Sequence, residues 1–484
     1  MIESFKKIKN KYINLSLSKK SIIWFTISTI IQNGIMFLVT PIYTRILTGS
    51  EYGIYSVYQS WQQIISIISI LALDRCITVG FIKFTEKRRE FLSSIQTLMT
   101  LLIFFFSIIV LFFSSFFERI INLPVYVIIT MLLVSLMNSS LANWSWFQRY
   151  NYNYKELTFV TLSTTIMMQL LSVFCIYYIP FDNKGILLIM TLSGARLIMY
   201  GIIYISVFVR GKKAYKNEYW NFGLKYSIAV IPHALAQIIL NSSDRIMIDK
   251  ICGRAEAAYY GVTYSAAMVL NTIVTSISSA VQPWFFEKIK ERDFVNIKKT
   301  TNNLLIFSAL LSVIISLFAP EILAIMAPPN YKVALWVFPS VAASVYFNSM
   351  YLYFANFESY FEKPIYFSIA TSIGAIINII LNLIFIKIFG FIAAGYTTLF
   401  CYMLFALMHY IFMRKVCNEF LDGINVFDIK FIMNLSLLVL LSSLSITSLY
   451  NYYTLRYCII IIIFIIVILK RKILIDYIHK IKNR

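Results

Sequence analysis

Charge is scarce in this chain. Asp, Glu, Lys and Arg make up 13% of its 484 residues against 59% hydrophobic, too few to clothe a soluble surface of this length. Acids are scarcer still, 22 against 43 basic residues. The three histidines, His233, His409 and His479, are too dispersed for a metal site. The six cysteines, Cys76, Cys175, Cys252, Cys401, Cys417 and Cys458, lie mostly inside apolar stretches, and none has a partner at metal-ligand spacing. Cys252 alone falls in an outside loop, with no evident partner. No nucleophile–base set, phosphate-binding loop or metal motif appears. These absences argue against a metal, a disulfide framework, a cofactor and enzymatic chemistry.

Long apolar runs are plentiful. Fourteen segments, at about 21–44, 53–76, 93–116, 124–147, 157–180, 185–209, 227–247, 257–285, 301–326, 334–357, 364–386, 391–413, 430–450 and 455–470, have few charges. Segments of about 20 residues can cross a hydrocarbon core of roughly 30 Å as helices. Backbone groups in lipid must be satisfied internally, so helices are required. The fold class expected is an all-α polytopic membrane protein of about 14 transmembrane helices.

Basic residues set the orientation, because cytoplasmic loops carry their excess. With the N-terminus inside, 32 of the 43 basic residues fall on the inner side and 8 on the outer; Arg75, Arg196 and Arg245 lie within spans. Both termini are therefore expected in the cytoplasm, in a multi-pass protein of the cytoplasmic membrane. The net charge of +21 belongs to loop ends facing anionic lipid, which argues against nucleic acid as a partner and for membrane lipids. Residues 1–20 read as a basic amphipathic segment on the inner surface. The first span is too long for a signal-peptide core and is expected to be retained.

The second and eighth spans begin alike. Glu51-Tyr52-Gly53-Ile54-Tyr55 parallels Ala258-Tyr259-Tyr260-Gly261-Val262. The expected organisation is a first lobe over 21–209, a cytoplasmic linker over 210–226 and a second lobe over 227–413. Two further helices and their preceding loop occupy 414–470, with a basic tail over 471–484. Parallel repeats suit a transporter that rocks two bundles about a midplane site. Polar residues inside spans mark where a wet path runs. The first span offers Asn33, with Arg45 at its end; the second offers Gln59, Gln62 and Gln63, ending near Asp74 and Arg75. The seventh carries His233, Gln237, Asn241, Asp244 and Arg245 on one face, and the eighth carries Asn271. The alternative is interhelical hydrogen bonding. Arg196 lies mid-span, at a cost of roughly 2.5–3.5 kcal/mol on insertion scales, with no acid within a turn in sequence. Arg75 and Arg245 follow Asp74 and Asp244 at about 100° around a helix and need not be neutralised by them. Asp74, Asp244 and His233 are candidates for ion coupling. Pro232 is a candidate kink beside His233, while Pro41, Pro320 and Pro339 also fall in or near spans.

Three pieces resemble the polysaccharide flippases of the multidrug/oligosaccharidyl-lipid/polysaccharide exporter superfamily, of the O-antigen and capsule repeat-unit type. One is Ile231-Pro232 with Asn241-Ser242-Ser243-Asp244-Arg245 and the following Ala258–Val262; the second is Glu51–Tyr55. The third contains Asn378, Asn382, Phe389-Gly390-Phe391-Ile392, Ala393-Ala394-Gly395 and Thr397-Thr398, with Ala-Ala-Gly where the family usually has Gly-Ala-Ala. The resemblance implies two six-helix lobes in a V, as in the multidrug exporters, around a cationic cavity. It also implies transfer of an undecaprenyl-pyrophosphate-linked oligosaccharide between leaflets, with a polysaccharide polymerase and chain-length machinery as partners. On this reading Arg45, Arg75, Arg196 and Arg245 suit phosphate, and Asn33, Gln59, Gln63, Gln237, Asn241 and Asn271 suit sugar hydroxyls. Trp144, Trp146 and Phe147 suit either sugar stacking or interfacial anchoring. The alternatives are a cation-coupled multidrug exporter and a lipid-linked peptidoglycan-precursor flippase. A membrane glycan polymerase or ligase is disfavoured by outside loops too short for a catalytic domain.

Overall fold

The computed structural model of the chain describes residues 16–469. The N-terminal segment before Ser16, the tail from Lys470 and His479 lie outside the described residues. Among those described there is no strand. In chain order the helices are α1 (Leu17–Ile46), α2 (Gly49–Ser69), α3 (Ile77–Lys83), α4 (Arg88–Phe112), α5 (Ser114–Ile121) and α6 (Val125–Tyr150). They continue with α7 (Tyr154–Tyr178), α8 (Lys184–Gly211), α9 (Asn217–Ile251), α10 (Arg254–Ala267), α11 (Val269–Lys290) and α12 (Phe294–Leu317). The last are α13 (Ala319–Met326), α14 (Phe338–Tyr360), α15 (Ile365–Phe389), α16 (Ala393–Phe420), α17 (Ile429–Leu449) and α18 (Tyr453–Leu469). Among the described residues twelve stretches are long and apolar enough to cross a bilayer, and one bent pair makes a thirteenth. The remaining expected span corresponds to the 17-residue α18. Packing divides the chain between Ala258 and Tyr259, inside α10.

The bent pair is the span expected at 53–76. It does not run straight: α2 stops at Ser69, Leu73–Cys76 forms a 3-10 turn, and the chain re-enters α3 at an angle of 65°. Leu71 and Ala72 both sit at φ 52°. A left-handed non-glycine residue costs roughly 1–2 kcal/mol, so tertiary packing must hold the break. Ile67 and Ala72 are buried against Ala234, with Val230, Ile231, Leu235 and Ile238 of α9 around them. Pro232 lies within α9 and Pro41 within α1. Pro320 and Pro339 instead occupy the first turns of α13 and α14, where a missing N–H is no loss.

The Glu51–Tyr55 stretch is a structural junction of the first unit. Thr48 and Glu51 form a reciprocal capping box at the start of α2. The same carboxylate accepts the backbone N–H of Lys184 at 2.8 Å, which ties α2 to the start of α8. Gly53 is required because a Cβ there would collide with the carbonyl of Arg254, and one at Gly185 would collide with the carbonyl of Glu51. Backbones approach this closely in membrane proteins through small residues. Around the junction Tyr52, Tyr55 and Tyr43 meet edge to face, at ring distances of 5.9 and 6.1 Å.

The second unit is organised on α14, which is buried along most of its length and packs on α12, α16 and α17. Its inner face carries an ionisable pair. His409 Nδ1 of α16 lies 2.8 and 3.0 Å from the two oxygens of Glu358, with both side chains fully buried. Rings of Tyr351, Phe367 and Phe405 surround the imidazole. In the loop before α12, hydrogen bonds from Asn296 and then the ammonium of Lys288 hold the Asp293 carboxyl below its ordinary pKa. At the far end of the unit Arg456 is buried and pairs with Glu321 and the carbonyl of Leu317, pinning α18 to the turn between α12 and α13.

Removing one member of a buried pair leaves the other unpaired in a dry site. Glu358→Ala should therefore cost about 3–5 kcal/mol, measurable as a large drop in the thermal unfolding temperature of the detergent-solubilised chain. Glu358→Gln, which retains a hydrogen bond to the ring, should cost less. Equal stability of all three proteins would contradict the assigned role of the pair.

Candidate functional site

The first unit contains a polar cavity of about 290 Å³ framed by α1, α6, α7 and α8. Gln32, Asn138, Ser28, Thr29, Ser145 and Thr161 line it with amides and hydroxyls, and Arg149 and Tyr200 complete the wall. No Asp or Glu is among its lining residues. Several hydroxyls spend their proton locally: Thr29 Oγ1 donates to the carbonyl of Phe25 at 2.9 Å, and Ser28 Oγ donates to Thr158 at 2.9 Å. The amides of Gln32 and Asn138 are the adaptable donors and acceptors of the wall.

Arg149 closes one side. Its guanidinium stands 5.0 Å from the ring of Phe25 and 5.3 Å from that of Trp146, a stacked arrangement that orients the plane without neutralising the charge. Among the described residues no carboxylate pairs with it. Sequence reading counted Arg149 only as an inner-loop charge. The missed signal is its position in the last turn of a span that also presents Trp146 one turn before it.

Arg196 stands one turn before Tyr200 on α8. It is half-buried and lies within electrostatic reach of Tyr43, Tyr55, Tyr58 and Tyr200. Among the described residues it has no ion pair and no hydrogen bond. The hydroxyls around it are engaged with one another's neighbours: Tyr58 with Ser193 at 3.1 Å, Tyr55 as acceptor from Gln59 Nε2 at 2.8 Å, and Tyr43 with Ser172 and Gln169. The guanidinium therefore has four phenols within electrostatic reach and, among the described residues, no carboxylate paired with it. Gln59 belongs to this site through Tyr55.

The other sequence-predicted residues fall into separate places. Gln63 is exposed on α2 and accepts from Ser242 of α9 at 3.2 Å, while Asn241 Nδ2 bonds the carbonyl of Gln237 at 2.8 Å. Gln62, from the same expected polar stripe, points the other way and is buried, donating to Met131 O and Ser135 Oγ of α6. That residue is helix-to-helix glue. Arg245 lies within electrostatic reach of Tyr52, and Asp244 is buried. Arg45 caps its own helix, with Nη1 3.0 Å from the carbonyl of Pro41. Asn33 is exposed on α1. Asn271 lies in the second unit, where it accepts from Asn348 Nδ2 at 2.6 Å. In that unit Asn378, Asn382 and Thr397 form a buried polar ladder joining α15 and α16.

Asp74 and Arg75 depart from the expectation. They form an ion pair at 3.7 Å on neighbouring positions of the 3-10 turn. His233 is half-buried within electrostatic reach of Arg75. The break in α2 and the proline-bearing stretch of α9 thus bring two of the three coupling candidates, Asp74 and His233, into one neighbourhood with the candidate kink Pro232. Trp144 is buried, whereas Trp146 is exposed. Among the described residues no group of three or more His, Cys, Asp or Glu side chains is placed to hold a metal ion.

Residues 18–290, more than half of the chain, match the family model described as polysaccharide biosynthesis protein. A search of curated proteins gives no match. Solved structures share the fold. The lipid II flippase MurJ in an inward closed conformation aligns with a TM-score of 0.67 and 14% identity, over 93% of this chain and 100% of that one. An inward-facing multidrug resistance transporter of the MATE family, of the MOP superfamily, gives 0.64 and 12%, over 82% and 98%. A MOP superfamily transporter from Pyrococcus furiosus gives 0.54 and 13%, over 82% and 95%; it is described as having a binding pocket of reverse polarity that suggests a different function.

A charge with no structural partner is dispensable to folding. Arg196→Met should leave the thermal unfolding temperature unchanged or raise it, since it removes a partly buried unpaired cation and keeps the side-chain bulk. A fall of several degrees would mean that Arg196 holds the fold together.

Proposed function

Because the chain belongs to the polysaccharide biosynthesis protein family, we propose that it is a flippase which carries a polyprenyl-pyrophosphate-linked oligosaccharide repeat unit across the cytoplasmic membrane. The observation that carries this reading is Arg196, an arginine with no carboxylate partner among the described residues and four tyrosines within electrostatic reach, on the same unit as a polar cavity walled by amides and Arg149. Pyrophosphate is doubly suited to such a place. It supplies the negative charge that the cavity lining lacks, and guanidinium groups bind phosphate oxygens through charge-assisted bonds. Amide and hydroxyl groups suit the sugars, while the polyprenyl chain needs no protein path because it dissolves in lipid.

An exporter of cationic drugs needs an anionic or neutral pocket, and a cavity lined by Arg149 with no acid among its lining residues repels a cation. The description of a reverse-polarity pocket in the Pyrococcus furiosus transporter fits the same principle, that this fold changes substrate class by changing pocket charge. Lipid II, named in the description of MurJ, offers the same pyrophosphate–sugar chemistry and is the second reading. The bias of basic residues supports both termini in the cytoplasm; O-antigen or capsule units are the cargo proposed, with a polymerase and chain-length machinery downstream.

Mass spectrometry of polyprenyl-linked glycans in cells with and without this protein tests the reading. Accumulation of one complete repeat unit on its carrier in the deleted strain supports it and identifies the cargo. Accumulation of a peptidoglycan precursor would transfer the assignment to the second reading. An unchanged pool with altered sensitivity to cationic dyes would overturn both. Arg196→Ala should reproduce the deletion phenotype at normal protein abundance; export at the wild-type level would remove Arg196 from the cargo site.

A further inference from the structure

The strongest unassigned feature is a second cationic cleft in the first unit, separate from the polar cavity. It lies where the start of α4, the end of α6 and the end of α8 come together, and Arg89 and Arg210 flank it. Ser93 Oγ donates to the carbonyl of Lys213 at 2.8 Å, and Trp220 Nε1 donates to that of Ser94 at 3.0 Å. The first bond fixes the start of α4 against the end of α8 and the second ties α9 to α4, where apolar helix gives way to polar loop. The floor of the cleft is apolar, with Leu92 and Val207 buried.

Three polar groups at this cleft lack protein partners. Arg89 and Arg210 are both exposed, and among the described residues neither makes an ion pair or a hydrogen bond. Glu86 and Glu90, the acids nearest in sequence, pair with neither. Arg89 is held in place by stacking, its guanidinium 5.5 Å from the ring of Phe147. Trp144 lines the cleft at 5% exposure, and its indole N–H has no acceptor among the described residues. The opening itself holds about 20 Å³, close to the space of one water-sized group. A sugar does not fit; one oxygen of a phosphate does, with the rest of the group between the two guanidiniums.

The geometry points to a binding site for the phosphate of an anionic phospholipid. Depth selects this ligand, because the anion present at high density at the level of a helix end is the lipid headgroup. Arginine forks grip its non-ester oxygens, Trp144 donates to one of them, and the buried apolar floor receives the glycerol and the start of the acyl chains. A lipid held here bridges α4, α6 and α8. The inference stands independently of the cargo assignment.

Native mass spectrometry of the purified full-length chain, delipidated and then mixed with equal phosphatidylglycerol and phosphatidylcholine, tests it. The wild type should retain phosphatidylglycerol in preference. Arg89→Ala with Arg210→Ala should weaken that retention about 30-fold, two surface cation contacts having been removed; Trp144→Phe should weaken it about 5-fold, with the ring kept and only the N–H lost. Both arginines are exposed, so the double variant should elute and unfold like the wild type. Equal retention of the two lipids by the wild type, or undiminished phosphatidylglycerol on the double variant, overturns the proposal. So does an arm in which polyprenyl pyrophosphate, and not phosphatidylglycerol, depends on Arg89 and Arg210, since the cleft would then belong to the cargo path. The lipid-linked pool of the previous section is unaffected by any of these outcomes, so the two readings fail separately.

Discussion

Hydrocarbon offers no hydrogen bonds, and that constraint governs everything else in this chain. Each backbone N–H and C=O in the bilayer must find a partner inside the protein, so apolar sequence becomes helix and helices end only where something replaces their bonds. The replacements are specific. Asn183 caps α8 through its side chain, Asp293 caps α12 and Asp428 caps α17. The sharp bend between α2 and α3 is stitched by turn-type bonds from Leu71, Ala72, Leu73 and Arg75 to carbonyls three to five residues back. Polar side chains gather there because an interrupted helix is where a polar group is cheapest.

Close backbone contact is the second organising element. Without a hydrophobic drive between helices in lipid, association depends on packing and on directed hydrogen bonds. The Thr48–Glu51 box does both tasks at once: it ends α1, starts α2 and holds the start of α8. With Gly53 and Gly185 letting main chains touch, this knot sets the register of α2 against α8. Register in turn places Tyr55 and Tyr58 around Arg196. The Glu51–Tyr55 stretch thus also places Tyr55 within electrostatic reach of Arg196.

Much of this was legible in the sequence. The long apolar helices and the scarcity of acids follow from composition and hydropathy alone, because a bilayer imposes a uniform rule on every span. What stayed hidden depends on tertiary detail. The 65° bend occurs in Ile70-Leu71-Ala72-Leu73, which contains neither proline nor glycine, so no local signal announces it. Gln62 and Gln63 are adjacent in sequence, yet one is glue and the other faces outward on the same helix. Glu358 and His409 are 51 positions apart, and a histidine judged only by its distance from other histidines conceals its carboxylate partner. Arg149 was misread for a related reason: counting it toward orientation treated it as a loop charge, whereas its ring contacts place it on a cavity wall.

Arg196 also has an electrical meaning. A charge held partway across a membrane feels the transmembrane field, about 2.3 kcal/mol per 100 mV for a full crossing. An arginine neutralised by a neighbouring carboxylate would contribute almost nothing to such a coupling. This one has no carboxylate partner among the described residues, so it presents a positive handle to the voltage. On the proposed reading an anionic occupant would offset that charge, and the loaded and empty protein would then respond differently to the same voltage.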